Sequence, residues 1–222
     1  MKVVTIGGLP AAGKTYTSKL IAKQYNCISL EFESLRWDFF NENIEKNLYE
    51  YTNHEKKLQN ENLREYYMRC TLYSNLVPIN ELVKWHENTM KYIKNNISQV
   101  LMELSLIKCK KQYDDFFIKY KKLINYIPNF EDLNKEIVIC SHAFINTIDF
   151  MNECRICIDF FSDKNVLLNR FKARENIKGE MSKNLAIYYL SYEKVLKKSI
   201  AFKLDTTDIN IIDIVCSIIN NK

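Results

Sequence analysis

Gly8-Leu9-Pro10-Ala11-Ala12-Gly13-Lys14-Thr15 fits the pattern G-x-x-x-x-G-K-[ST] at every fixed position. Before it stands Val3-Val4-Thr5-Ile6, a short β-branched run of the kind that forms a buried parallel strand. After it, Tyr16, Leu20, Ile21 and Tyr25 recur at helical spacing as far as Asn26. Strand, loop and helix in this order aim backbone N–H groups and the positive helix end at one point, which suits a polyphosphate. Lys14 is expected to reach the β- and γ-phosphates of ATP, and the Thr15 hydroxyl to be a ligand of Mg²⁺. The nucleotide site is thus read as residues 8–15, Gly8, Leu9, Pro10, Ala11, Ala12 and Gly13 included, with Tyr16 behind them. Glycine usage agrees. The chain has four glycines, and Gly7, Gly8 and Gly13 fall within its first 13 residues; the fourth is Gly179.

Around this motif the composition is that of one globular domain. The 222 residues are 47% apolar and 27% charged, which excludes wholesale disorder. A net charge of +5 is mildly basic and diffuse, with no basic run. No apolar run reaches the roughly 18 residues of a membrane span, and the first residues pass directly into glycines, so neither a membrane segment nor a leader is expected. Seven scattered cysteines read as reduced thiols, hence a cytoplasmic protein.

Further along, Cys27-Ile28-Ser29-Leu30-Glu31 reads as a second strand. A stretch without glycine follows, with apolar residues at helical spacing: Leu63, Tyr66, Tyr67, Cys70; Leu82, Trp85, Ile93, Ile97, Val100, Leu104; Phe116, Phe117, Tyr120, Leu123, Ile127. Residues 41–134 are read as an insertion of about four helices, mobile in its charge-rich first part, 41–61. Strands return at 136–140 and 155–160, helices at 164–176 and 182–198, and a last strand at 200–204. Asp208 reads as the N-cap of a closing helix, 209–220. Strands alternating with helices imply an α/β fold with a parallel, doubly wound sheet of roughly five strands, the large helical insertion lying between strands 2 and 3.

A GTPase would carry N-K-x-D, which is absent. A hydrolytic machine would end its third strand in a carboxylate, where this chain has Cys140-Ser141-His142. With those classes weakened, residues 2–40 and 136–222 resemble the P-loop small-molecule and nucleotide kinases. Three features carry the resemblance: the phosphate loop; Ile28-Ser29-Leu30-Glu31-Phe32-Glu33-Ser34-Leu35-Arg36, similar to the S-x-D-x-x-R element of polynucleotide-kinase-like proteins; and residues 155–193, similar to the lid region of uridine-kinase-like enzymes, before Leu204-Asp205-Thr206-Thr207. The resemblance implies a three-layer P-loop NTPase fold and an ATP- and Mg²⁺-dependent phosphotransferase. Its acceptor would be a small molecule, nucleoside or nucleotide covered by the insertion. Two alternatives are a 5′-hydroxyl polynucleotide or tRNA-directed kinase, which the modest charge disfavours, and a non-kinase nucleotide-binding interaction module.

Phosphoryl transfer needs a carboxylate near the acceptor hydroxyl. Glu31 and Glu33 both qualify, and alternation puts them on one face if the strand continues. Arg36, one helical turn on, favours Glu33, but the choice stays open. Arg36 and His142 are read as acceptor ligands. Arg170 and Arg174, four apart on one helix, are expected to meet ATP phosphates when a lid closes, with Lys178 continuing that face and Gly179 capping it. Cys154 and Cys157 form a lone C-x-x-C whose members face opposite sides of a strand, so no metal is expected there. His54 and His86 lack a partner pattern and read as surface residues. Tyr66, Tyr67, Tyr73, Trp85 and Tyr92 read as core rather than as a stacking platform. Arg64 and Arg69 lie in the same region as candidate anion ligands.

Overall fold

The computed structural model describes residues 1–52, 56–74, 76–148, 155–174, 182–207 and 210–221. The chain opens with β1 (Lys2–Gly8), α1 (Lys14–Gln24) and β2 (Ile28–Glu31). Four helices follow: α2 (Glu33–Tyr51), α3 (Leu63–Met68), α4 (Ile79–Ser105) and α5 (Lys110–Tyr120). Then come β3 (Ile124–Tyr126), β4 (Ile137–Ser141), β5 (Arg155–Phe161), α6 (Lys164–Arg174), α7 (Ser182–Leu196), β6 (Phe202–Asp205) and α8 (Ile211–Asn220).

The strands form one sheet in the order β3-β2-β4-β1-β5-β6. Every pairing is parallel except β2 with β3, which is antiparallel. The parallel part therefore has five strands, and the sixth, β3, is an antiparallel edge. This corrects the reading of 116–127 as continuous helix. Apolar residues in a three-residue strand are too few to show a period of two. The central strand β1 is buried on both faces, with Val3, Val4 and Ile6 inaccessible, as a strand flanked by parallel neighbours must be. Register brings the carboxyl ends together: Ile6 pairs with Ser141, Gly7 with Asp159 and Glu31 with Ser141. Crevices beyond such strand ends hold ligands in open α/β sheets.

The helices between β2 and β4 pack as their period demands. Helix α4 buries Leu82, Trp85, His86, Thr89, Ile93, Ile97, Val100 and Leu104, an i, i+3/i+4 stripe laid against α2 and α7. Pro78 precedes its first turn, and a capping box between Asn62 and Glu65 starts α3. In the charge-rich segment, α2 runs unbroken to Tyr51, with Leu48 buried. Among the described residues, no helix is long and apolar enough to cross a membrane.

Two expectations change. His86 is a core residue at 0% exposure, its Nε2 3.2 Å from the Ser191 hydroxyl. It sits on the apolar stripe between Trp85 and Thr89, and burial pushes its pKa well below the usual histidine value, with Arg36 and His142 adding to the descent. The second strand ends at Glu31 and α2 begins at Glu33, so strand alternation does not relate those two carboxylates. Asp159, unmentioned in the motif reading, lies beneath the phosphate loop. Cys154, His54, Lys178, Gly179 and Asp208 lie outside the described residues, as does the Tyr73 side chain.

Candidate functional site: a phosphate loop and an adjoining cleft

The loop after β1 takes left-handed backbone at Gly8 (φ 112°), Ala11 (φ 64°) and Gly13 (φ 87°). A Cβ on Gly8 would stand 2.0 Å from the Phe160 carbonyl oxygen, so glycine is required there on two counts. The loop is pinned from outside. The Gly8 N–H donates to the Ala143 carbonyl (2.9 Å), and the Tyr189 hydroxyl of α7 donates to the Pro10 carbonyl (2.8 Å). Asn125 of β3 donates to the Thr15 carbonyl (2.9 Å), tying the edge strand to the start of α1.

Lys14 folds its ammonium back to the Leu9 carbonyl at 2.7 Å. Burial lowers its pKa to about 8; Glu33 opposes the descent and Arg174 adds to it. The Thr15 hydroxyl donates to Glu31 Oε1 at 2.5 Å, so the last residue of β2 meets the first turn of α1.

Glu33 opens α2 and faces two partners. Arg36 Nη1 donates to its Oε1 at 3.2 Å, and His142 Nε2 lies 3.3 Å from its Oε2. His142 is 2% exposed, and its Nδ1 accepts the Phe144 N–H at 3.2 Å, which puts the ring proton on Nε2, towards Glu33. Burial takes the imidazole down to about 4, so it is neutral at ordinary pH. Burial alone would raise the Glu33 carboxyl, but Arg36, His142 and Lys14 outweigh it and hold Glu33 below the usual carboxylate range.

Arg36 is 3% exposed. Its Nη1 donates to Glu33 and to the Tyr192 hydroxyl, and its Nη2 to the hydroxyls of Tyr67 (3.4 Å) and Tyr188 (3.1 Å). The guanidinium also lies 5.4–5.6 Å from the ring centroids of Trp37, Tyr67 and Tyr192. Burial disfavours its charge, but Tyr188, Tyr192, Glu33 and Tyr67 overcome that, so it stays a cation.

These groups open into one cleft of about 490 Å³. Pro10, Lys14, Thr15, Glu31, Glu33 and Arg174 line its phosphate-loop side; Arg36, Trp37, Arg64, Met68, Tyr188 and Tyr192 line the other. Arg170 is elsewhere. It lines a second groove of about 430 Å³ with Ala11, Gly13, Tyr16, Thr206 and Ile211, and its guanidinium donates to the Thr206 carbonyl at 3.3 Å. The two arginines read as one face thus line two different cavities. Arg69 pairs with Glu61 (2.8 Å). Among the described residues, no group of three or more His, Cys, Asp or Glu side chains is placed to hold a metal ion.

Motif reading missed Trp37, Met68, Tyr188, Tyr192 and Phe171, which also lines the cleft. The spacing of Tyr188 and Tyr192, one turn apart, was the available signal.

Three solved structures can be set beside this chain. Shikimate kinase from Aquifex aeolicus is 10% identical with a TM-score of 0.42, covering 99% of this chain and 97% of its own. Dephospho-CoA kinase from Campylobacter jejuni is 14% identical with a TM-score of 0.37, covering 99% and 98%. Deoxyadenosine kinase from M. mycoides with bound dCTP is 14% identical with a TM-score of 0.40, covering 99% and 100%. All three are P-loop kinases. No protein-family model and no curated protein matches the sequence.

Proposed function

We propose that this protein is a P-loop kinase that moves the γ-phosphoryl group of ATP to a hydroxyl of a small-molecule, nucleoside or nucleotide acceptor. The observation that carries this reading is the convergence of Lys14, Thr15, Glu31, Glu33 and Arg174 on one cleft.

The triphosphate lies along residues 8–15, cradled by loop N–H groups and the start of α1. The groove that holds Tyr16, Arg170, Thr206 and Ile211 takes the rest of the nucleotide. Thr15 and Glu31 offer the hydroxyl and carboxylate oxygens that a hard cation prefers, and would hold Mg²⁺, which supplies charge neutralisation at the phosphates. Lys14 and Arg174 face the transferring group, where charge develops.

Glu33 receives the acceptor hydroxyl. Held ionised chiefly by Arg36, it is a weak base and mainly orients the O–H, taking its proton late. The transition state of phosphoryl transfer is loose, so orientation is the larger need. Arg36 keeps Glu33 in place, and the His142 ring lies beside the same carboxylate, its Nε2 3.3 Å from Oε2. Helices α2 and α3 wall the acceptor end of the cleft through Trp37, Arg64 and Met68.

The test is ATP consumption by the whole protein with Mg²⁺, scanned against nucleosides, nucleotides, sugars and short RNA. Acceptor-dependent ADP release that Lys14→Ala abolishes supports the reading. ATP binding without transfer to any acceptor would favour a nucleotide-binding interaction module instead.

A further inference from the structure

The acceptor end of the cleft carries its own chemical instruction. Among the described residues, four cationic side chains line the cleft: Lys14, Arg36, Arg64 and Arg174. Lys14 folds over the phosphate loop, and Arg174 borders the same side. Arg36 is the cation set deepest at the acceptor end, and it is already committed. Its two terminal nitrogens carry four N–H bonds, and four acceptors take them: Glu33, Tyr192, Tyr67 and Tyr188. A phosphate that used either terminal nitrogen of Arg36 would have to displace a phenol, leaving a buried hydroxyl unsatisfied, or take the place of the half-buried Glu33 carboxylate; the Nε, which makes no hydrogen bond, is itself buried. It would also stand beside Glu33, a negative charge that Arg36 already pairs at 3.2 Å. Against this stands, among the described residues, Arg64, exposed, its guanidinium 6.0 Å from the Trp37 ring centroid.

The rest of the wall is flat and apolar: Trp37, Tyr188, Tyr192, Phe171 and the Met68 thioether. Tyr188 and Tyr192 lie 3.1 Å apart, hydroxyl to hydroxyl, so one donates to the other and the second keeps a hydrogen to offer. Such a wall takes a planar ring and a few hydroxyls.

On the reading of this cleft as a kinase acceptor site, we infer that the acceptor is an uncharged alcohol carrying a flat heterocycle, a nucleoside rather than its monophosphate. Arg36 then acts as the post that sets Glu33 and the tyrosine wall, not as an anion clamp.

Binding and transfer are measured separately. The whole protein is titrated calorimetrically with adenosine, guanosine, cytidine, uridine and thymidine, and with each 5′-monophosphate, with and without a non-hydrolysable ATP analogue. The expected result is that at least one nucleoside binds, its monophosphate binds at least tenfold more weakly, and Trp37→Ala weakens the nucleoside while circular dichroism stays that of the parent. A monophosphate that binds as well or better, and loses its affinity in Arg64→Ala, would overturn the inference, as would the absence of binding by every nucleoside. A protein that binds a nucleoside but transfers nothing to it would sink the kinase reading and leave the ligand class standing. A protein that phosphorylates only monophosphates or alcohols without a ring would do the reverse.

Discussion

The Thr15 hydroxyl donates a 2.5 Å hydrogen bond to the Glu31 carboxylate, joining the first turn of α1 to the end of β2, while Glu33, two residues on, turns instead to Arg36 and His142. Neighbouring carboxylates so differently engaged should do different work. Glu31→Gln is expected to raise the Mg²⁺ concentration for half-maximal turnover at least about tenfold, because it removes a charged oxygen from a hard-cation site. Glu33→Gln should leave that concentration unchanged and lower kcat at saturating acceptor. Titrating Mg²⁺ with each variant separates them. The opposite pattern would exchange the two roles.

Lys14 titrates near 8, far below an ordinary lysine, because burial disfavours its charge. On the proposed reading its ammonium holds phosphate. Below pH 8 the free protein carries that charge; above it, nucleotide binding must first take up a proton. The apparent affinity for ATP should therefore be level from pH 6.5 to 7.5 and fall about tenfold per unit well above pH 8. Lys14→Ala should flatten this limb and cost at least about 10² in turnover. An ATP affinity independent of pH up to 9.5 would show that Lys14 is not the titrating group.

How much of this was legible beforehand depends on how local each signal is. The phosphate loop is eight consecutive residues whose φ angles and contacts are set by their neighbours, so its pattern names it. The sheet was legible where a strand is β-branched, as at Val3-Val4-Thr5-Ile6, and illegible at Ile124–Tyr126, where pairing with β2 rather than propensity makes the strand. The cleft was half legible. Glu33 and Arg36 are one turn apart in sequence, but Arg36 meets Tyr188 and Tyr192 across more than 150 residues, and no spacing encodes that. His86 was misjudged for the same reason, since its burial partner Ser191 lies on another helix.

Arg170 and Arg174 belong to different cavities, and their variants should differ in kind. Arg174 borders the phosphate-loop side of the main cleft, with its guanidinium 5.0 Å from the Phe171 ring centroid. On the proposed reading its contact strengthens as charge moves to the transferring group. Arg174→Ala should lower kcat by roughly 10² with little change in KM for ATP. Arg170 lines the groove beside Tyr16 and Thr206, so Arg170→Ala should raise KM for ATP and spare kcat. Steady-state kinetics of the two variants reads this directly, and equal losses of kcat would place both at the phosphates.

Gly8→Ala tests the loop itself. The new methyl meets the Phe160 backbone at 2.0 Å in a residue whose φ is 112°, so both sterics and strain act. A cost of about 3 kcal/mol is expected, equivalent to a fall of roughly 6–12 °C in Tm for a chain of this size. Thermal unfolding measures it. A Tm within a degree of the parent would mean that β5 does not press on the loop.

Arg36→Lys tests whether the buried guanidinium is needed as a fork. Lysine keeps the charge but has three donors on one nitrogen, and cannot reach four acceptors set around two. At least one phenol or the carboxylate loses its partner in a buried site, which should cost about 3 kcal/mol in urea unfolding at pH 7. Glu33 is the more telling reporter. Its folded pKa lies below the ordinary glutamate value because Arg36, His142 and Lys14 overcome its burial. Such a group stabilises the fold above the unfolded pKa, about 4.3, and that contribution is lost as pH falls through the lower folded pKa. With Arg36→Lys the folded pKa should rise, narrowing the interval over which acid destabilises. The acid limb of the turnover profile should move to higher pH with it, as more Glu33 is protonated at a given pH. Carboxyl-carbon NMR titration of Glu33 follows the shift site by site. An unmoved Glu33 together with full stability would show that the four contacts to Arg36 are replaceable by one ammonium.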